Sequence, residues 1–263
     1  MTSDTNLTSA NSAPAKPAPA AAAPDLETYG LPLHLDEVWP TDGGLQRPPE
    51  VPRWLRGLAH LLLRIGGYRV YGQVPNVPRM VLAAAFHTSN WDGFWMLVTA
   101  FALGVRPTWM VKIEWVNGPL GGLMKFLGGL GIDRSHSRDA VQQAVDLINE
   151  REKIVLVISP EGTRRRTDHW KTGFYWIAYN AQVPIVCGFL DYGKRRFGIG
   201  PALMPSGDID ADMEIIWDFY RNTTARAPEK VSTMRLRPSQ SQQGRSSQER
   251  SSQPTSQKLS GHE

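Results

Sequence analysis

Two residues in one short stretch, His87 and Asp92 in Phe86-His87-Thr88-Ser89-Asn90-Trp91-Asp92-Gly93, have the types and spacing for proton transfer. They form H-x-x-x-x-D. On an ideal helix that offset is about 140°, from 3.6 residues per turn, so the pair cannot share a helical face. The two meet only if His87 stands in the loop before a helix and Asp92 on its first turn. One imidazole nitrogen then donates to the carboxylate and the other faces a substrate proton, the posture of a general base. The same residues also have a purely structural use. Ser89 as N-cap with Asp92 three residues on resembles a capping box with Asp in place of Glu, which leaves His87 a plain loop histidine.

Two further stretches hold charged groups in ordered company. Ser159-Pro160-Glu161-Gly162-Thr163-Arg164-Arg165-Arg166 follows an apolar run and sets a carboxylate, a flexible turn, a hydroxyl and a guanidinium in line. The planar fork of an arginine suits a phosphate; three arginines in a row are equally the pattern of a solvated turn. Gly128-Gly129-Leu130-Gly131-Ile132-Asp133-Arg134 likewise ends in Asp-Arg, or simply in a surface ion pair. The single cysteine, Cys187, excludes an intramolecular disulfide. It sits in an apolar run without a nearby base and reads as a buried, inert thiol.

These groups need a frame, and the periodicities supply one. Met80–Ala85 and Ile154–Ile158 are continuous apolar runs, as expected for strands buried on both faces. Tyr68–Tyr71, Pro107–Ile113, Val183–Leu190 and residues 195–203 read as further strands. Helices are expected at 91–104, 137–150, 171–181 and 208–221, with Ser137 as an N-cap. Strands alternating with helices predict an α/β layered domain: a central mixed, largely parallel sheet flanked by helices. Its strand-end loops, where open α/β sheets bind ligands, would carry both His87 and Glu161. Residues 53–67 form a basic amphipathic helix with Leu55, Leu58, Leu62 and Ile65 on one stripe, suited to a lipid interface or to ordinary packing on a core. Residues 115–131 combine glycines with Trp, Leu, Met and Phe, the composition of an acyl-chain gate, a membrane contact or a loose core helix.

Composition bounds the rest. The chain has 263 residues, 41% of them apolar, and nine tryptophans, which suggest a large core or an aromatic surface meeting lipid. The net charge of +4 arises beyond residue 220, where eight Lys/Arg face three Asp/Glu. A basic tail on a balanced fold gives no reason to expect nucleic acid. Residues 1–27 read as a disordered Ala/Pro-rich leader, 28–225 as the catalytic domain and 226–263 as a disordered Ser/Gln/Arg-rich tail. No apolar run reaches the 18–20 or so residues of a membrane span, and the N-terminus lacks the features of a signal peptide, so a cytoplasmic protein is expected.

Taken in order, these stretches resemble the glycerolipid acyltransferase family, whose type members are the 1-acylglycerol-3-phosphate acyltransferases. Its four blocks match His87 to Asp92, Gly131 to Arg134, Glu161 to Arg164, and Val183-Pro184-Ile185-Val186. Ser159 stands where the family usually has an aromatic or apolar residue, and Cys187 where a second proline is common. The resemblance implies transfer of a fatty acyl group from a thioester, acyl-CoA or acyl-carrier protein, to a hydroxyl of a lysophospholipid such as 1-acylglycerol-3-phosphate. It implies His87 and Asp92 as the catalytic pair, with Arg134, Glu161, Gly162, Thr163 and Arg164 on the acceptor side. It implies no metal or cofactor. The absence of a spanning run beside two apolar, Arg- or Lys-flanked stretches, 53–67 and 115–130, predicts a peripheral position on the inner face of a membrane, where many family members carry a transmembrane segment. Two other classes compete: a metal-dependent hydrolase using His87, Asp92, Glu161 and His136 or His169, and a non-catalytic lipid-binding protein.

Overall fold

A computed structural model of the chain describes residues 48–132 and 140–237. Asp133, Arg134 and His136, the proposed leader and the end of the proposed tail lie outside the described residues. Seven strands form one sheet in the order β1-β7-β6-β2-β5-β3-β4. They are β1 (Arg69–Tyr71), β2 (Arg79–Ala84), β3 (Thr108–Lys112), β4 (Gly129–Ile132), β5 (Ile154–Ile158), β6 (Ile185–Asp191) and β7 (Arg196–Leu203). Every neighbouring pair is parallel except β6 with β7. This is the mixed, largely parallel sheet that the alternation predicts.

The central strands are apolar throughout because both faces are covered. Val81 and Ala83 of β2 face one core, built with α5 (Ala140–Asn149), α6 (Gly173–Ala181) and α7 (Ile209–Arg221). Met80 and Leu82 face the other side, with Val155 and Val186. There α1 (Arg53–Ile65) and α2 (Asn90–Ala102) pack with Leu190 and Phe197. The buried hydroxyl of Tyr220 on α7 lies 2.8 and 2.9 Å from the carbonyl oxygens of Ala83 and Gly188. It ties the ends of β2 and β6 together, next to the loop that carries His87.

Three regions differ from the sequence reading in ways that matter for function. In α1 the buried residues are Ala59 and Leu63, and the Arg56 guanidinium donates to the Ala102 carbonyl at 3.1 Å, at the end of α2. That rotation turns Trp54, Leu58, Leu61 and Ile65 to solvent, Ile65 with 75% of its surface exposed. Only part of the predicted stripe packs inward; Leu58 and Ile65 do not. Residues 115–131 take regular structure: α3 (Ile113–Asn117), α4 (Gly121–Phe126) and then β4. Gly128 makes the turn into β4 at φ +93°, where a Cβ would fall 1.9 Å from the Pro107 carbonyl oxygen. Trp115, Leu120, Leu123 and Phe126 remain exposed. Among the described residues no helix is long and apolar enough to cross a membrane.

The third difference concerns residues 226–237, counted with the tail in the sequence reading. They lie across the loop that follows β5. Ser232 is buried and bonds the Thr167 amide and hydroxyl, Thr233 N donates to the Thr167 carbonyl, and Trp170 N donates to the Arg235 carbonyl. Val231, Met234 and Leu236 also pack against the core of α5, α6 and α7, but three apolar residues spread over a polar stretch are too sparse for composition to reveal the segment.

Candidate active site

The site follows from strand register. β2 and β5 run side by side and parallel, with Ala83 opposite Ile158. The two chains leave the same edge of the sheet, and His87 and Glu161 each come three residues after the last residue of their strand. Both oxygens of Glu161 accept the His87 backbone amide, at 3.1 and 3.2 Å, and one accepts the Ser159 hydroxyl at 2.8 Å. Glu161 is 2% exposed, and burial pushes its carboxyl up to about 7 against these hydrogen bonds. It clamps the backbone of the histidine loop. The departure from family habit at Ser159 supplies one of its donors.

Asp92 is 1% exposed and its lone pairs are occupied. Oδ2 accepts from the amides of Thr88 and Ser89, both at 2.7 Å, and from the Thr88 hydroxyl at 3.1 Å. Oδ1 accepts from the Tyr192 hydroxyl at 2.6 Å. The expected hydrogen bond between the imidazole and Asp92 is not formed among the described residues, because the carboxylate is turned to the loop amides and Tyr192. Asp92 acts on the ring through charge. Burial lowers the His87 pKa below its ordinary value, the Asp92 charge pulls it back up, and the Arg164 charge adds to the lowering. The net lowering favours the neutral imidazole, the form a proton acceptor needs. A Cβ on Gly93 would sit 3.6 Å from His87 Cε1, which places the ring over the first turn of α2.

The capping alternative is realised as well. Asp92 bonds the Ser89 amide as a capping-box acid does, and Ser89 is the N-cap of α2. One carboxylate shapes the loop and charges the site.

Beside the histidine lies a cleft of about 620 Å³. It is lined by Thr88, Ser89, Asn90, Thr163, Arg164, Arg165, Arg166 and Lys230. None of the four cationic side chains makes an ion pair among the described residues. The positive end of α2 points the same way. A phosphate is the group such a wall suits best. Gly162 turns the chain at φ +62°, and a Cβ there would meet the Lys171 side chain at 2.8 Å; its need for glycine is conformational.

The structure thus brings His87, Asp92, Glu161, Gly162, Thr163 and Arg164 to one edge of the sheet. Arg134 lies outside the described residues. Tyr192 and Lys230 carry no local signal: one follows β6 by a single residue and the other sits in a tail-like stretch. Cys187 is buried in β6, its thiol pushed up to about 12 by desolvation. Among the described residues no three His, Cys, Asp or Glu side chains are grouped to hold a metal, so His87, Asp92, Glu161 and His169 do not form such a set.

Residues 68–188 match the family model described as Acyltransferase. Over 151 residues the chain is 38% identical to a probable 1-acyl-sn-glycerol-3-phosphate acyltransferase of Mycoplasma pneumoniae, a match covering 53% of this chain and 56% of that one. The chain thus spans little more than half the length of this curated relative. The crystal structure of the 1-acyl-sn-glycerophosphate acyltransferase PlsC from Thermotoga maritima superposes with a TM-score of 0.46 at 14% identity, over 66% of this chain and 81% of that one.

Proposed function

We propose, for a chain whose residues 68–188 match the family model described as Acyltransferase, that it moves a fatty acyl group from a thioester to the free hydroxyl of a lysophospholipid. The acceptor is 1-acylglycerol-3-phosphate and the product phosphatidic acid. The observation that carries this reading is a half-buried histidine whose next residue, Thr88, begins the lining of a cleft with four cationic side chains that make no ion pair among the described residues. A phosphate seated on Arg164 holds the acceptor hydroxyl, a short glycerol arm away, within reach of His87.

In the proposed reaction the His87 imidazole removes the hydroxyl proton as the acceptor oxygen bonds the thioester carbon. The tetrahedral oxyanion is stabilised by amides in the first turn of α2. Those of Thr88 and Ser89 are held by Asp92, which leaves Asn90 and Trp91. The carbon–sulfur bond then breaks, and the imidazolium returns its proton to the departing thiolate. Asp92 favours the imidazolium by charge, and Glu161 fixes the loop. The donor is acyl-CoA or acyl-carrier protein; the thioester brings its own activation, and the chemistry uses no metal or prosthetic group.

Attachment to the inner face of a membrane is peripheral in this reading. Trp54, Leu58, Leu61 and Ile65 on α1, with Trp91 and Phe94 on α2 and the exposed residues of α3 and α4, offer apolar side chains to lipid.

The test is incubation with a panel of lysolipids and isotope-labelled acyl thioesters, with products identified by mass. Labelled phosphatidic acid from the parent, and its loss in His87→Ala, is the expected result. A parent that acylates only neutral acceptors, or hydrolyses the thioester without transfer, overturns the reading.

A further inference from the structure

The cleft has a wall that no family block supplies. Lys230 comes from a 3-10 turn, Pro228–Lys230, more than forty residues beyond the stretch that matches the family. Its position is fixed on both sides. Upstream, Ala225 is buried and the Ala227 amide donates to the Thr88 hydroxyl, which in turn donates to Asp92. Downstream, Ser232 is buried and bonds Thr167 through both the amide and the hydroxyl of that residue. The strap therefore joins the loop of His87 to the loop of Arg164, and Lys230 lies between its two anchors.

Three features say what Lys230 does there. It is exposed at the cleft and its side chain makes no hydrogen bond or ion pair among the described residues, so its ammonium is available. It lines the same cleft as Arg164, Arg165 and Arg166, cations whose mutual repulsion an anion bound there would relieve. The same cleft is lined by Thr88 and Ser89, the residues that follow His87, and by Asn90, the first residue of α2. We propose that Lys230 is a binding residue for the acceptor's phosphate, completing with Arg164 a grip that closes only when the C-terminal strap is in place. This inference rests on the acyltransferase reading and deepens it by adding a residue that determines acceptor specificity. The phosphates of a CoA donor offer the same chemistry, but a long pantetheine arm separates them from the reacting carbon. The acceptor phosphate must lie within a few bonds of the hydroxyl at His87.

The experiment compares Lys230→Gln, Lys230→Arg and Arg164→Gln in the full chain, with acceptor and donor each titrated at saturating concentrations of the other. The Lys230 side chain is exposed and makes no bond among the described residues, so its variants keep the parental fold. Lys230→Gln should raise KM for 1-acylglycerol-3-phosphate about 5- to 10-fold, the lower range for a charged hydrogen bond at a solvent-accessible site, with kcat and donor KM near the parent's. Lys230→Arg should restore most of the loss, and a neutral monoacylglycerol acceptor should show no difference. Acceptor KM unchanged in Lys230→Gln but raised in Arg164→Gln overturns the role of Lys230 and leaves the acyltransferase reading standing. A rise in donor KM alone assigns the lysine to the donor and overturns the inference equally. If neither variant changes acceptor KM, the phosphate grip itself is wrong.

Discussion

Replacing His87 and Asp92 separately, and reading stability and turnover together, separates chemistry from capping. Asp92→Asn keeps the shape of the side chain but removes its charge and one acceptor. The best amide orientation keeps the oxygen on the Thr88 and Ser89 amides, now 2.7 Å charge-assisted bonds, and turns the nitrogen to Tyr192. Two charged bonds become neutral, each about 1 kcal/mol weaker, and the Tyr192 bond must reverse its donor. The expected cost is about 2–3 kcal/mol, or roughly 5–10 °C in Tm for a domain of this size. The imidazole makes no hydrogen bond to lose, so His87→Ala should move Tm by only a few degrees. Turnover should behave differently. His87→Ala should lower kcat by about 10²–10⁴-fold, the usual worth of a general base. Asp92→Asn should lower it by no more than that, and the double variant should be little worse in kcat than His87→Ala alone, because the two act as one unit. The assay is steady-state acylation of 1-acylglycerol-3-phosphate beside calorimetry on the same preparations. Parental turnover in a folded His87→Ala protein would refute the mechanism. Parental kcat in an Asp92→Asn protein of lowered Tm would reduce Asp92 to a cap.

Three further outcomes follow from the same geometry. The Glu161 carboxyl is raised from 4.5 to about 7, so its contribution to stability is fully present below about pH 4.5 and lost as pH rises through 7, a change of about 3 kcal/mol. Chemical denaturation of Glu161→Gln across pH 5–8 should lack that fall, leaving only the opposite, smaller rise expected from the lowered His87; an unchanged pH profile would show that Glu161 ionises normally. The acid limb of kcat/KM should lie below the ordinary histidine value of 6.5, since burial lowers His87, and it should move upward in Tyr192→Phe, where Asp92 loses a donor and its charge acts more fully on the ring. A Tyr192→Phe protein with the parental pH profile would make that tyrosine merely structural. Changing Trp54 and Leu58 to Asp should cut sedimentation with anionic vesicles at least tenfold without lowering Tm, because both side chains are exposed in the folded protein; a fall in Tm with unaltered vesicle binding would return this face of α1 to ordinary packing.

Much of this was legible in the residues alone. Apolar runs at 80–85 and 154–158 imply strands buried on both faces, and their alternation with amphipathic segments implies a layered α/β domain, because side-chain period is local information. The types and order of His87, Asp92, Glu161 and Arg164 likewise point to base and phosphate chemistry before any coordinates. Register decided the rest. That Glu161 clamps the backbone of His87, rather than touching a ligand, depends on β2 and β5 lying side by side with Ala83 opposite Ile158, a pairing between residues more than seventy positions apart. Asp92 turning to loop amides and to Tyr192 instead of to the imidazole depends on where β6 ends. The stripe of α1 that meets α2 depends on helix rotation, which an arginine hydrogen bond to the Ala102 carbonyl helps to set. The strap of residues 226–237 is the extreme case: it is held by backbone amides, by hydroxyls and by three sparse apolar side chains, Val231, Met234 and Leu236, in an otherwise polar stretch, so only the tertiary structure could place Lys230 in the cleft.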